Sequence, residues 1–290
     1  KVDHDITVFV DDWRLNQDGS QAGGFDDIHD QAHEGRIGNF ARAIFQNAPK
    51  QLKKNERVRL RLINAATDRI FPILIEGGAG KIVAYDGMPL KTPEPLERII
   101  LNPAQRADII VDVKSDLVVK SYSRRQGFFA LGILPQNGIS KVVQTGEIPP
   151  LEQNHMLKSD MKNATKLNLA MEGGAMSRRM MMGGMMSGNV WALNGKSVID
   201  ETPLHTFQRG QTAIIDLVND TNYPHAMHLH GHHFKALNAK DKSRHRDTIL
   251  VDVERTQKIA CVFDNPGKWL LHCHMLGHQA AGMKTWVEVI

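Results

Sequence analysis

Only two of the 290 residues are cysteines, Cys261 and Cys273. No disulfide framework can therefore organise this chain. A single Cys261–Cys273 bridge is the one pairing open to it, but Cys273 stands between two histidines, and a metal-bound thiolate explains that setting better. Cys261 lies in the alternating run Lys258–Phe263 and reads as a small buried hydrophobe. No apolar run approaches the length of a membrane span, so none is expected. Basic runs are also missing. The net charge is +4 and the pI about 9.0, yet Lys and Arg are scattered, and Ser123-Arg124-Arg125 is too short to predict nucleic-acid binding. The chain opens Lys1-Val2-Asp3, with neither initiator Met nor signal peptide, as expected of a processed or excised piece. No long helical pattern occurs.

What the sequence does have is concentrated near its end. Leu271-His272-Cys273-His274 follows Trp269-Leu270 and is predicted to sit at a strand end, where alternate side chains face opposite ways. His272 and His274 then share one face, and Cys273 occupies the other. His278 and Met283 follow closely enough to return to the Cys273 side. A second cluster, His225-Ala226-Met227-His228-Leu229-His230, offers the further imidazoles. Two imidazoles, one thiolate and a more distant thioether describe a blue-copper electron-transfer centre. The Cys273 face needs one more histidine, and His225 is the natural candidate. His228, His230, His272 and His274 remain for the other face, where four imidazoles suit a cluster of coppers better than one structural ion. A zinc site, or a set of satisfied core histidines, is the plainer alternative; two ordered blocks make it the weaker one.

H-x-x-H-x-H followed by H-C-H-x3-H-x4-M resembles the C-terminal copper signature of the multicopper oxidases, a family that includes laccases and cuprous oxidases. The resemblance implies that His225, Cys273, His278 and Met283 hold a type 1 copper. It implies that His228 is a type 2 ligand and that His230, His272 and His274 are type 3 ligands, in an enzyme carrying four coppers. The implied reaction couples one-electron oxidation of a phenol-like donor or Cu(I) to four-electron reduction of dioxygen to water. The implied setting is periplasmic or secreted, with copper resistance as one role. The rival expectation is a non-catalytic electron-transfer protein using the type 1 copper alone.

Short alternating segments separated by Gly, Pro and Asn predict an all-β sandwich. The resemblance narrows this to two cupredoxin-like Greek-key β-barrel domains: residues 1–150 without copper, and 160–290 with the type 1 site and half of a trinuclear site. In the first, strands are predicted at Ile6–Val10, Arg57–Leu62, Pro72–Glu76, Lys81–Tyr85, Arg98–Leu101, Ala107–Val113 and Gly127–Leu134, with a long loop over 15–40. In the second they are predicted at Leu167–Met171, Val190–Leu193, Thr212–Val218, His233–Leu237, Thr248–Val251, Gln257–Phe263, Lys268–His274 and Lys284–Val289. A polar linker with Pro149-Pro150 spans about Glu147–Thr165. A faint repeat matches Leu62-Ile63-Asn64 to Leu217-Val218-Asn219. Without gaps it sets Ile70, Ile73 and Ile75 opposite His225, His228 and His230, and makes the first domain a copper-free copy of the second.

Two things the resemblance calls for are lacking. Its trinuclear cluster takes eight histidines, four of them from two H-x-H motifs in an N-terminal domain. His4, His29, His33, His155 and His205 form no such pair, so that domain is expected as a missing partner. Several bacterial members carry a proton-delivering carboxylate directly after the second type 1 histidine, where this chain has Gln279. Met171 and a crowd of further methionines, Met176, Met180, Met181, Met182, Met185 and Met186, precede Asn194-Gly195. A loosely packed loop explains them; so does a soft thioether trap for Cu(I), as the similarly placed insertions of cuprous oxidases imply.

Overall fold

Arg57-Val58-Arg59-Leu60-Arg61-Leu62 shows how this sequence makes strand. Val58, Leu60 and Leu62 are fully buried, while Arg59 and Arg61 between them turn to Asp108 and Asp5, and Arg57 before them is a buried arginine paired with Asp112. The period of two sorts core from surface. The computed structural model describes residues 1–123, 127–144, 146–175, 177, 189–238 and 244–290. Among them no helix is long and apolar enough to cross a membrane.

Contacts divide the chain into two units. The first comprises residues 1–13, 38–66 and 70–154, and the second 14–37, 67–69 and 155–290. The expected boundary near 150–160 is therefore joined by an exchange that the sequence did not announce, because residues 14–37 and 67–69 pack with the C-terminal unit. Nor is 15–40 simply a loop: it includes helix α1 (Ile28–Ala32), capped by the Asp27 carboxylate.

The first unit carries strands β1 (His4–Trp13), β2 (Phe40–Gln46), β3 (Leu52–Lys54), β4 (Arg57–Asn64) and β5 (Phe71–Tyr85). It continues with β6 (Met88–Pro95), β7 (Ile99–Leu101), β8 (Arg106–Ser123), β9 (Gly127–Leu134) and β10 (Gln136–Ile139). One sheet runs β2-β1-β4-β8-β5-β6, with β7 joining β5 and β9 joining β8. Two strands were expected within residues 72–85; one bent strand, β5, spans them. Gly77 explains the difference. Its φ is +96°, a Cβ there would lie 1.9 Å from the Asp116 carbonyl oxygen, and the β5–β8 register shifts beside it. The glycines mark a bulge rather than a turn.

The second unit carries β11 (Thr165–Gly173), β12 (Trp191–Leu193), β13 (Thr206–Phe207), β14 (Gln211–Asn219), β15 (His225–Leu229) and β16 (Phe234–Ala236). It ends with β17 (His245–Arg246), β18 (Thr248–Val251), β19 (Thr256–Phe263), β20 (Gly267–Cys273), helix α2 (Leu276–Ala280) and β21 (Lys284–Val289). Two sheets, β12-β11-β14-β19-β16-β17 and β13-β21-β20-β15-β18, enclose its core in a cupredoxin-like sandwich. Successive strands switch sheet at β14–β15, β15–β16 and again at β18–β19 and β19–β20.

The two units repeat one plan. In each, the N-terminal strand runs parallel to a strand ending in Asn64 or Asn219. The Asn64 side chain accepts from Ala66 N and donates to Leu101 O, and Asn219 does the same with Thr221 N and Val251 O. The ligand register differs by one residue from the ungapped reading. Phe71 pairs with Leu101 as His225 pairs with Val251, so Phe71, Leu74 and Glu76, not the isoleucines, stand in the histidine places. By the same ladder Ser121 matches Cys273 and Lys120 matches His272. A buried Phe and a Glu76–Lys120 ion pair of 2.6 Å occupy what are ligand positions in the other unit.

Candidate metal centre

β15 and β20 are antiparallel neighbours, pairing Met227 with Cys273 and His228 with His272. Cys273 is fully buried on the core face. Beyond it the chain makes α2, which returns His278 to the thiol, and then Gly282 and Met283. Gly282 has φ +119°, and a Cβ there would meet the Trp191 carbonyl oxygen at 2.4 Å. Cys273 N bonds Met283 O (3.1 Å) and Met283 N bonds His278 O (3.0 Å), closing a short loop around fully buried Met283.

Three ligand atoms converge here. His225 Nδ1 and His278 Nδ1 are 3.1 Å apart, and Cys273 Sγ is 3.8 Å from each. A point equidistant from all three lies about 2.1 Å from each, in the range of metal–imidazole and metal–thiolate bonds. Hydrogen bonding fixes the tautomer of His278, whose Nε2 must donate to the His33 carbonyl at 2.7 Å and whose Nδ1 therefore carries a lone pair. The Thr221 hydroxyl lies 2.8 Å from His225 Nε2, 2.7 Å from Asn219 Oδ1 and 3.0 Å from the Tyr223 carbonyl oxygen. The His278 Nδ1 lone pair points at His225 Nδ1 across 3.1 Å, where a proton or a cation can bridge the two rings. Burial pushes the Cys273 thiol up to about 12, and His278 down to about 4. It also drives His225 well below the ordinary imidazole range, with the His278 charge adding to the effect. Without metal the group is neutral; metal binding displaces the thiol proton.

The other face of β20 holds the remaining histidines. His230 Nε2 is 3.0 Å from His272 Nε2, and His272 Nδ1 donates to the Cys273 carbonyl at 2.8 Å. His228 Nδ1 donates to the Asp247 carbonyl at 3.0 Å, leaving Nε2 free for a metal. His228 lies 5.5 Å from His274 between ring centroids, and buried His274 Nδ1 has no hydrogen-bond partner. These rings adjoin, but among the described residues only His225, Cys273 and His278 bring three ligand atoms within 4.8 Å of one another. Burial lowers His272 to about 3 and His274 to about 4.

All eight ligand-type residues predicted in blocks 225–230 and 272–283 thus gather about β15, β20 and α2. Met176, Met180, Met181, Met182, Met185 and Met186 lie outside the described residues. Sequence reasoning missed the residues that hold the ligands. Asn219 entered only as part of the internal repeat and Thr221 not at all, while the His33 carbonyl and Asp68 come from distant segments with no local signal. Nor did it find the carboxylates. Gln279 stands after His278, yet buried Asp68 accepts from Gly277 N at 2.9 Å, and Asp247 lies 3.5 Å from His228 Nδ1.

The buried neutral histidines give the metal-free protein a defined acid sensitivity. Unfolded imidazoles take protons near pH 6.5, whereas His278, His274 and His272 resist until about 4, 4 and 3. Between those limits the unfolded state binds more protons, so stability falls as pH is lowered. Each histidine contributes at most about 1.4 kcal/mol per pH unit. Thermal unfolding of the chelated protein should shift down by several degrees between pH 7 and pH 5, and bound copper should blunt the shift. A midpoint flat across that range would contradict the neutral, buried assignment.

A buried two-imidazole, one-thiolate group with a methionine alongside, set on a cupredoxin-like sandwich, defines a copper-binding β-protein. Two distinct sequence patterns of the multicopper oxidase family match, one over residues 12–145 and the other over 172–290. The chain belongs to the multicopper oxidase family. The multicopper oxidase MmcO of Mycobacterium tuberculosis is 29% identical over 253 residues, covering 82% of this chain and 47% of that protein. The Staphylococcus haemolyticus multicopper oxidase mco is 26% identical, covering 83% and 50%. The chain thus spans about half the length of the relatives it matches. Among solved structures, Lac15 from a marine microbial metagenome superposes with a TM-score of 0.80 at 44% identity, covering all of this chain and 66% of that one.

Proposed function

We propose that this chain is the type 1 copper-bearing part of a multicopper oxidase that takes electrons singly from a small donor and delivers four to dioxygen, yielding two waters. His225, Cys273, His278 and Met283 hold the type 1 copper. His228 serves the type 2 ion, and His230, His272 and His274 serve the type 3 pair. Copper, when bound, supplies the one-electron redox chemistry that these side chains lack. The observation that carries the reading is Cys273 itself: its sulfur belongs to one group of ligands, while its chain neighbours His272 and His274 belong to the other. One residue joins both faces. Metal analysis after copper exposure tests it, since a colourless chain that retains zinc in preference would remove it.

Convergence of just the His225–Cys273–His278 group among the described residues favours a second reading, electron transfer through a type 1 copper without oxygen chemistry. We also propose a periplasmic or secreted setting and a part in copper resistance, readings that the family relationship supports.

Cu(I) is the donor we favour, on the strength of the methionines. Replacing Met176, Met180, Met181, Met182, Met185 and Met186 by leucine keeps bulk and removes the soft sulfur ligand. In the complete enzyme, cuprous oxidation should drop about tenfold or more, at the scale of losing a ligand or its support, while oxidation of a bulky organic donor holds or rises. Equal loss of both would point to a structural role.

A further inference from the structure

The segment Arg14–Ile37 lies against the type 1 group, and its contacts are those of a built wall. Helix α1 ends with carbonyls that no intrahelical N–H can reach. Three in succession are taken by residues of the metal centre's surroundings. Gln31 O accepts from Trp191 Nε1 at 2.6 Å, Ala32 O from Ala175 N at 2.8 Å, and His33 O from His278 Nε2 at 2.7 Å. Trp191 in turn packs its ring 4.5 Å from that of His278 and 5.0 Å from that of His225.

Asp68 latches this wall. Its two carboxylate oxygens accept from Gly277 N at 2.9 Å and Arg36 N at 3.0 Å, tying the strap to the turn that carries His278. Gly35 lets the chains approach: it has φ +84°, and a Cβ would fall 2.4 Å from Asp68 Cβ. Asp68 is 2% exposed and His278 not at all. By contrast His29 is exposed on α1, its ring stacked on that of half-buried His33 at 4.1 Å.

We infer that the α1 strap, latched by Asp68, positions His278 and bars donors from its imidazole edge, so that Asp68 is a specificity-determining residue acting through the strap. Large planar donors that must touch a ligand edge are disfavoured; small donors able to work across the His29–His33 surface are not. The inference uses the type 1 assignment of His278 only for its kinetic readout.

Carbethoxylation of the metal-free full chain by diethyl pyrocarbonate, read by peptide mass spectrometry, reports the access to each imidazole. His278 should label at least about tenfold more slowly than His29. A hydrogen-bonded buried carboxylate is strong enough that Asp68→Ala should raise His278 labelling by about tenfold or more. Asp68→Asn, which keeps one oxygen for one of the two N–H groups, should fall between. In copper-loaded protein, the ratio of reduction rates for a bulky phenol and for hexacyanoferrate(II) should rise in the same order, which general loosening would not produce. Labelling of His278 as fast as His29 in the unmodified chain overturns the inference. So does unchanged labelling in folded Asp68 variants. If Asp68→Ala does not fold, Asp68→Asn and the unmodified chain decide alone. Failure to load copper would strike the proposed function but leave the labelling result standing.

Discussion

Cys273→Ser should abolish the intense visible absorption of the copper-loaded chain. That band requires a thiolate bonded to Cu(II), and a serine hydroxyl neither ionises near neutral pH nor offers a soft donor. Serine is close to cysteine in size, so the fully buried site should keep its shape. His225 and His278 would remain 3.1 Å apart and could still hold a metal, weakly and without colour. The measurement is the visible spectrum of both proteins at matched copper loading, with circular dichroism to verify folding. A serine variant that keeps the band would refute the ligand assignment.

The proposed ligand set could be read from the sequence because it is local. His225 to His230 and His272 to Met283 are two short blocks, and strand alternation alone separates Cys273 from its flanking histidines. β4 and β14 were legible because buried and half-buried residues alternate along most of their length, and the strands from β18 to β21 because they are short apolar and β-branched runs. What was not legible is what arrives from elsewhere. Nothing near Asp68 or His33 signals that they meet Gly277 and His278, more than 200 residues away. The repeat register failed by one residue because the loop after Asn64 is one residue longer than the loop after Asn219, and an ungapped offset cannot absorb that. β2 and β6 were missed for different reasons: β2 alternates in burial but puts Phe40 and Ile44 on its exposed side, and β6 contains prolines and an irregular burial pattern.

Residues 1–290 alone should take up dioxygen at no more than background rate. Four-electron reduction needs metals held together as electron source and template. His228, His230, His272 and His274 would supply four of the eight imidazoles that the family's cluster takes, and no H-x-H pair occurs before residue 228. A second copy brings the same deficit, so dimerisation would not complete the set. Oxygen uptake with a one-electron donor, measured with and without an N-terminal domain bearing two H-x-H motifs, tests this. Supplying that domain should raise the rate by orders of magnitude. Full turnover by the 290 residues alone would sink the argument, whereas a persistent blue band with no uptake even after that addition would favour the electron-transfer reading.

The Glu76–Lys120 ion pair and buried Phe71 have a consequence for how metal governs the molecule. Where the C-terminal unit gathers two imidazoles and a thiol that a cation could bridge, the N-terminal unit has its own internal charge partner and an aromatic plug. It is a self-neutralised casting of the same mould. Copper starvation would therefore register as a loss confined to one half of the chain: that half's resistance to heat and acid would track the metal supply, while the other would hold its shape in copper-poor and copper-rich surroundings alike.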